Sequence, residues 1–269
     1  MGKKIDRTGE NSISNEGCVM KIIEYNGTKD IIVEFQDEHE YRIHTRYQVF
    51  KKGECKNPFH PSVFGHGYLG VDKNGEVPKT QEFKNGRWRD TWEYGKWIAM
   101  LRRCYDNKYK EREPTYKDVT CCERWLCFAY FLEDLEILKE EHNWSKDEKL
   151  NLDKDILNKG NKEYNLENCV LIPSYINSLF TKSDGLRGEY PIGVCYNKQH
   201  KKYQAHCNIN RKLKNLGYYS TPEQAFNAYK IAKEKEIKRV VNECVSKGYV
   251  VKNSRLYKAM IDYQVEIED

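Results

Sequence analysis

The residues whose types and spacing best suit chemistry lie in two stretches on either side of a turn rich in Gly and Asn. The first is Leu152-Asp153-Lys154-Asp155-Ile156; the second is Glu167-Asn168-Cys169-Val170-Leu171-Ile172-Pro173, followed by Ile176-Asn177. The pattern reads as strand, strand, short helix, with Asp153 on the first strand, Asn168 at the entry to the second and Asn177 on the helix. Fifteen positions separate Asp153 from Asn168, and nine separate Asn168 from Asn177. Short oxygen donors from three such elements make a compact, hard pocket. Magnesium, or manganese in its place, suits such a pocket, because one or two carboxylates hold it and substrate phosphates complete its shell. Phosphodiesters of nucleic acid are then the expected substrate. The residues also admit a blander reading, in which Asp-Lys-Asp is a solvated hairpin edge and the asparagines cap a turn and a helix.

With its flanks, over roughly residues 92–181, the segment resembles the ββα-metal finger of HNH endonucleases, in the version common in phage proteins that reads L-D-x-x-I, E-N-C and I-N. Trp97-x2-Met100-Leu101-x-Arg103-Cys104-Tyr105 and Thr115-Tyr116-Lys117-Asp118-Val119 also look like the helical lead-in of those proteins. The resemblance implies Asp153 and Asn177 as metal ligands and Asn168 as the residue that holds the loop in shape. Such enzymes usually carry a water-activating histidine directly after the acidic residue, and here that position is Lys154. An ammonium with an ordinary pKa of about 10 is no base at neutral pH. Lys154 is therefore expected to add positive charge against a developing phosphorane. Tyr116, Tyr164, Tyr175 and His142 are the candidates for general base, and the sequence does not choose among them.

Composition sets the frame. A chain of 269 residues that is 39% hydrophobic, with 20 Tyr and 5 Trp, can bury cores and is long enough for two or three small domains. No apolar run approaches the length of a membrane span and no secretion signal is evident, so a soluble, cytoplasmic protein is expected, in the infected bacterial host if phage-encoded. Ten cysteines then read as free thiols. Cys104, Cys121, Cys122, Cys127 and Cys169 form no C-x2-C pair, so buried thiols are favoured over zinc; His60 and His66 are scattered loop residues. Net charge is +5 overall, but residues 187–247 hold 13 Lys/Arg and 5 Asp/Glu. That concentration is the footprint of nucleic-acid binding.

Inside this basic segment, Tyr203, Ala205, Cys207 and Ile209 alternate with Lys202, Gln204, His206, Asn208 and Asn210, which predicts a strand with one apolar and one polar face. Asn210-Arg211 turns into a strand ending at Leu216-Gly217-Tyr218-Tyr219. Thr221-Pro222-Glu223-Gln224 starts a helix whose Ala225, Ala228, Tyr229 and Ala232 form a stripe of mostly small residues. The unit expected is three strands backed by one helix. Over roughly 190–240 it resembles the ethylene-response-factor (ERF/APETALA) DNA-binding domain, in Gly193-Val194, Lys202-Tyr203, Ala205, Leu216-Gly217 and the helix start. The resemblance implies a sheet face in the major groove, presenting Asn197, Lys202, Gln204, His206, Asn208, Asn210 and Asn215. The arginines and tryptophans that plant domains use on that face are absent, so base preference does not carry over.

Elsewhere, residues 17–53 predict an antiparallel β-meander with Tyr47–Phe50 as one of its strand runs, 57–70 an irregular connection and 75–86 a polar linker. Helices are predicted from Thr91 and over about 123–139; the tail after Cys244 is not legible. The fold expected is α+β and multidomain: 1–75 a small β domain, 76–185 the HNH-like finger with its helical lead-in, 186–247 the ERF-like module and 248–269 a tail. The leading function is a phage-type, metal-dependent DNA endonuclease of homing or nicking type acting on double-stranded DNA, a homodimer or two sequential nicks being needed to cut both strands. The alternative is a DNA-binding or regulatory protein that keeps an HNH scaffold without its base. An RNA-binding or protein-interaction module ranks third, because the polar sheet face lacks aromatic platforms.

Overall fold

The computed structural model describes residues 5–145, 148–180 and 189–267. The chain divides into two compact units, Met1–Asp134 and Leu135–Asp269. The expected boundary at 185/186 lies outside the described residues.

In the first unit, β1 (Asn11–Ile13), β2 (Val19–Gly27), β3 (Asp30–Phe35) and β4 (Arg42–Thr45) pair antiparallel in that order, and α1 (Tyr47–Lys51) follows. Alternation puts Met20, Ile22, Ile31, Val33 and Phe35 on one face, packed with Phe50 and Cys55. The expected meander is present, but Tyr47–Phe50 is a helical turn rather than a strand. The strand is Arg42–Thr45, where the period of two runs through polar residues and is easily overlooked. The expected linker is likewise structured at its end. There β5 (Gln81–Lys84) and β6 (Arg87–Asp90) form a hairpin closed by Asn85-Gly86, both at positive φ (54° and 77°) as a two-residue turn demands.

Next, α2 (Trp92–Tyr105) begins at Thr91, whose Oγ1 accepts from the Tyr94 N–H, and it buries Trp97, Met100, Leu101 and Cys104. α3 (Asn107–Arg112) and the short β7 (Thr120–Cys121) lead to α4 (Phe128–Glu140). The helix expected from residue 123 starts late: Glu123–Leu126 is a single tight turn, and Cys127 is extended and bridged to Tyr68. Trp125 explains the break, because its indole N–H donates to Asp134 Oδ2 at 2.7 Å while its carbonyl accepts from Trp97 Nε1 at 2.8 Å.

The second unit holds β8 (Leu150–Asp153), β9 (Glu163–Tyr164), β10 (Val170–Pro173), α5 (Ser174–Asn177), β11 (Val194–Asn197), β12 (Lys202–Ile209), β13 (Lys212–Tyr219), α6 (Pro222–Ser246) and α7 (Arg255–Ile261). β8 and β10 pair antiparallel and α5 follows directly; β11, β12 and β13 form a three-stranded sheet in sequence order. Helix α6 starts as its sequence directs, with Pro222 at the first turn and the Thr221 hydroxyl accepting from the Gln224 N–H. It then runs for 25 residues and serves two cores. Its first half lays Ala225, Phe226 and Tyr229 on Val194, Ala205 and Cys207 of the sheet. Its second half lays Ile237, Val240, Val241 and Cys244 on Ile156, Val170, Ile172 and Ile176 of the strand–strand–helix segment. Gly193 is required at the sheet edge: its φ is 77° and a Cβ would fall 2.1 Å from the Tyr229 ring.

The tail belongs to these cores. Val250, Leu256 and Met260 complete the one and Val265 the other. Finger, sheet and tail, expected as consecutive domains, therefore share a single helix. Truncating Ile237, fully buried on α6, should cost about 2–5 kcal/mol. Hydrogen exchange of Ile237→Ala is expected to show faster amides in both β10 and β12, since one helix supports both; protection lost in β10 alone would mean the cores are independent.

Candidate metal and nucleic-acid site

The register of the β8–β10 pair decides which side chains can meet. Asp153 stands opposite Val170, and Asn151 opposite Ile172. Residues directly opposed across antiparallel strands project from the same face. Asp153 and Asn151 therefore share the face of Val170 and Ile172, the face that packs on Ile176 of α5. The Asn151 amide donates to Ser174 Oγ at 3.0 Å, fastening the start of α5 to that side of β8. Asp153 and the helix bearing Asn177 thus lie on one side of the hairpin.

The Asp153 carboxylate uses one oxygen for structure. Its Oδ1 accepts the N–H groups of Asp155 at 2.9 Å and Ile156 at 2.8 Å, turning the chain out of β8. Among the described residues, Oδ2 has no hydrogen-bond partner. Burial pushes the carboxyl above its ordinary range, opposed by the two N–H groups and only weakly by Lys154. A partly buried carboxylate with one unengaged oxygen fits a divalent cation, which would favour its charged form. Asn177 is partly buried at the end of α5. Among the described residues no three His, Cys, Asp or Glu side chains gather.

Lys154, the residue that follows β8, is buried, 5% exposed. Its Nζ donates to Asp155 Oδ1 at 2.7 Å, Asp155 Oδ2 at 2.9 Å and the Asn161 carbonyl at 2.6 Å. All three of its N–H bonds are thus committed to the loop. The Asn168 amide donates to Asn161 Oδ1 at 3.2 Å and accepts from Asn158 at 3.0 Å. Asn161 in turn donates to the carbonyls of Lys154 and Glu163. Arg255 of α7, which no motif signalled, donates to the carbonyls of Leu166, Glu167 and Cys169 and pairs with Glu141 at 2.6 Å.

The four base candidates separate. Tyr116 lies in the first unit, and the other three in the unit that holds Asp153. Tyr164 is buried, with the Lys154 ammonium 5.8 Å from its ring centre. Tyr175, on α5, contacts Cys244 Sγ at 3.4 Å, and burial drives its phenol far above the ordinary range, away from the phenolate a base requires. His142 is buried beside Trp144 with neither ring nitrogen hydrogen-bonded, and burial lowers its pKa, keeping the imidazole neutral.

On the sheet, Tyr203, Ala205, Cys207 and Ile209 face α6. Lys202, Gln204, His206 and Asn208 occupy the other face of β12, with Asn197 and Asn215 opposite them on the flanking strands. Asn197 donates to Gln204 Oε1 at 3.3 Å, so those two amides are already paired. Asn210 differs from expectation. It sits in the β12–β13 turn at φ 53°, and its N–H donates to the buried carboxylate of Glu236 on α6 at 2.8 Å. Leu213 and Tyr218 also stand exposed on the outer face, opposite Asn208 and Gln204; the irregularity at Ala205/His206 puts Tyr218 there against a strict period of two counted from Asn215. A groove of about 910 Å³ runs between α5, α6 and the β12–β13 turn, lined by Tyr175, Ser178, Asn210, Arg211 and Lys233 among others. The Arg211 guanidinium lies 5.3 Å from the Tyr175 ring centre.

A scan against family models finds no match, and searches of curated proteins and of solved structures find none either.

Two outcomes test the site. Because the folded state holds the Asp153 proton more tightly than the unfolded chain does, its stabilising contribution is present below about pH 3.9 and is lost as pH rises through the folded value. Asp153→Asn, which keeps the Oδ1 acceptor, should therefore raise the Tm of metal-free protein at neutral pH. Adding magnesium or manganese should raise the wild-type Tm, by about 2.7 kcal/mol of stability at a hundredfold excess over Kd, and leave the variant unmoved. Lys154→Met should cost about 1–3 kcal/mol in urea unfolding, as carbonyl and carboxylate lose their donor. A fully stable Lys154→Met protein would deny the clamp.

Proposed function

We propose that the chain is a metal-dependent DNA endonuclease of nicking or homing type that hydrolyses phosphodiester bonds and is held on duplex DNA by the basic β11–β13 sheet. The observation that carries the reading is the Asp153 carboxylate, with one oxygen unengaged, on the α5 side of a strand–strand–helix finger. Asp153 Oδ2 and the Asn177 amide would hold magnesium or manganese. Bound there, the cation supplies positive charge at the scissile phosphate and at the departing 3′-oxygen. Asn168 keeps its supporting role, fixing the loop through Asn161 and Asn158. Lys154 is reassigned: its ammonium secures that loop and reaches no phosphate. Neither His142 nor Tyr175 is set up to take a proton from water: the His142 ring nitrogens are buried without partners, and burial raises the Tyr175 phenol. Lys202, Gln204, His206, Asn208 and Asn215 would face the major groove, where amides can read adenine edges.

A second reading, in which the finger is a scaffold and the protein binds DNA without cutting it, is favoured by Lys154. The position where a base is expected carries a buried structural cation instead. Both readings place the protein in the cytoplasm of a bacterial host, acting on double-stranded DNA. No described helix is long and apolar enough to cross a membrane.

A supercoiled-plasmid assay separates them. On the nuclease reading, wild type converts plasmid to nicked circle with magnesium or manganese and not with EDTA, and Asp153→Ala lowers the rate by roughly a hundredfold or more, as loss of an electrostatic stabiliser does. Cutting that survives Asp153→Ala removes the site assignment. No cutting with any metal, alongside intact duplex binding, selects the scaffold reading.

A further inference from the structure

The β5–β6 hairpin is the most exposed ordered element of the first unit: all eight of its strand residues are exposed. Its register pairs Gln81 with Asp90, Glu82 with Arg89, Phe83 with Trp88 and Lys84 with Arg87. One face therefore carries Phe83 and Trp88 together with Asp90, whose carboxylate accepts from Gln81 Nε2 at 3.1 Å, and the other carries Lys84, Arg87, Arg89 and Glu82. The two rings meet edge to face at 5.6 Å yet stay 64% and 66% exposed. Among the described residues, none of the three cations has an ion-pair partner. A two-stranded ribbon is marginally stable by itself, and an exposed aromatic pair on such an element marks a contact surface.

We propose that this ribbon is a second duplex-DNA contact, separate from the β11–β13 sheet and standing whether or not the finger cuts. Charge selects the partner. A protein groove closing on the rings would leave three unpaired cations on the opposite face, whereas DNA satisfies both faces. The major groove admits a two-stranded ribbon, its floor offers thymine methyl groups to apolar side chains, and its walls are phosphate. The narrow Asn85-Gly86 turn lets the ribbon enter tip first, and long Lys and Arg side chains flanking that tip reach the walls.

The test measures binding of the full chain to a labelled duplex of mixed sequence by fluorescence anisotropy, in EDTA so that no cutting intervenes, across a salt series. Replacing Lys84, Arg87 and Arg89 together by Ala should reduce the slope of log K against log salt by about 2.7, since each phosphate contact contributes about 0.9. Phe83→Ser with Trp88→Ser should weaken binding at fixed salt with the slope unchanged. A control that removes the exposed lysines Lys29, Lys51 and Lys52 should leave the slope near wild type. The proposal is overturned by an unchanged slope in the first variant, by an equal fall in the control, or by a wild type that does not bind duplex. It is equally overturned if sedimentation shows the aromatic variant abolishing self-association while DNA binding stays intact. All these substitutions are at exposed positions, and far-UV circular dichroism confirms folding before each comparison. Because no step depends on cleavage, a failed plasmid assay and a failed salt series are separate results.

Discussion

The second unit depends on one helix being shared. A 25-residue helix whose stripe changes character midway can serve two partners: Ala225, Ala228 and Ala232 let the sheet approach closely, while Ile237, Val240 and Val241 fill the wider space over the β8–β10 hairpin. Glu236 stands at the change-over. It is buried, paired with Arg239 at 2.8 Å, and takes the N–H of Asn210 from the β12–β13 turn. Those partners hold its carboxyl below the ordinary range despite burial. A charge so enclosed costs too much to keep unless each partner is in position, so it fixes the sheet's register against the helix. The outer face of the sheet and the finger are consequently held in one frame, and any duplex engaged by the first meets the second at a fixed offset.

Between β8 and β10 the loop buries Ile156, Tyr164 and Cys169, and polar groups organise the rest of it. Lys154 gathers Asp155 and the Asn161 carbonyl; Asn161 gathers Lys154 and Glu163; Asn168 joins Asn161 to Asn158; Arg255 collects three carbonyls from the other side. Side-chain amides can do this because each offers donors and an acceptor to backbone groups no strand satisfies. Two cations inside a loop of inward-facing carbonyls also offset the dipoles that would otherwise repel one another. The outcome is a rigid support for Asp153, whose carboxylate contributes one oxygen to the turn and keeps the other clear.

Elements governed by local rules were readable from sequence. Alternation in 202–209, the Thr221 cap and the Leu152–Asn177 spacing each specify a short-range geometry, and the structure contains the strand, the helix start and the hairpin-plus-helix. What escaped depends on distant partners. Tyr47–Phe50 has the apolar content of a strand but is taken up by α1, because Phe50 is drawn into the sheet core. Gln81–Asp90 has no buried face, so it gave no hydrophobic signal at all, and only Asn85-Gly86 marked it. Lys154 looked available because a lysine usually reaches solvent; its capture by Asp155 and Asn161 requires the loop to close first. Arg255 lies more than eighty positions from the carbonyls it holds, beyond the reach of any spacing argument.

The distribution of cations then constrains how the proposed chemistry is shared out. Lys154 and Arg255 are spent on backbone and carboxylate groups, which leaves Lys159 and Lys162 as the exposed cations of the loop between β8 and β10. On the sheet module Lys202, Lys212 and Lys214 are exposed, and Arg211 is brought against α5 by the strained turn at Asn210-Arg211, both at positive φ. A bulky residue holds that conformation only where surrounding contacts dictate it, and here Glu236 on one side and Tyr175 on the other do so. In the proposed reading, neutralisation of a duplex backbone near Asp153 is shared between these loop lysines and the cations of the sheet. In that reading the finger would supply a carboxylate and the loop and sheet the charge that brings a phosphate to it, while α6, packed on both cores, holds them in one frame.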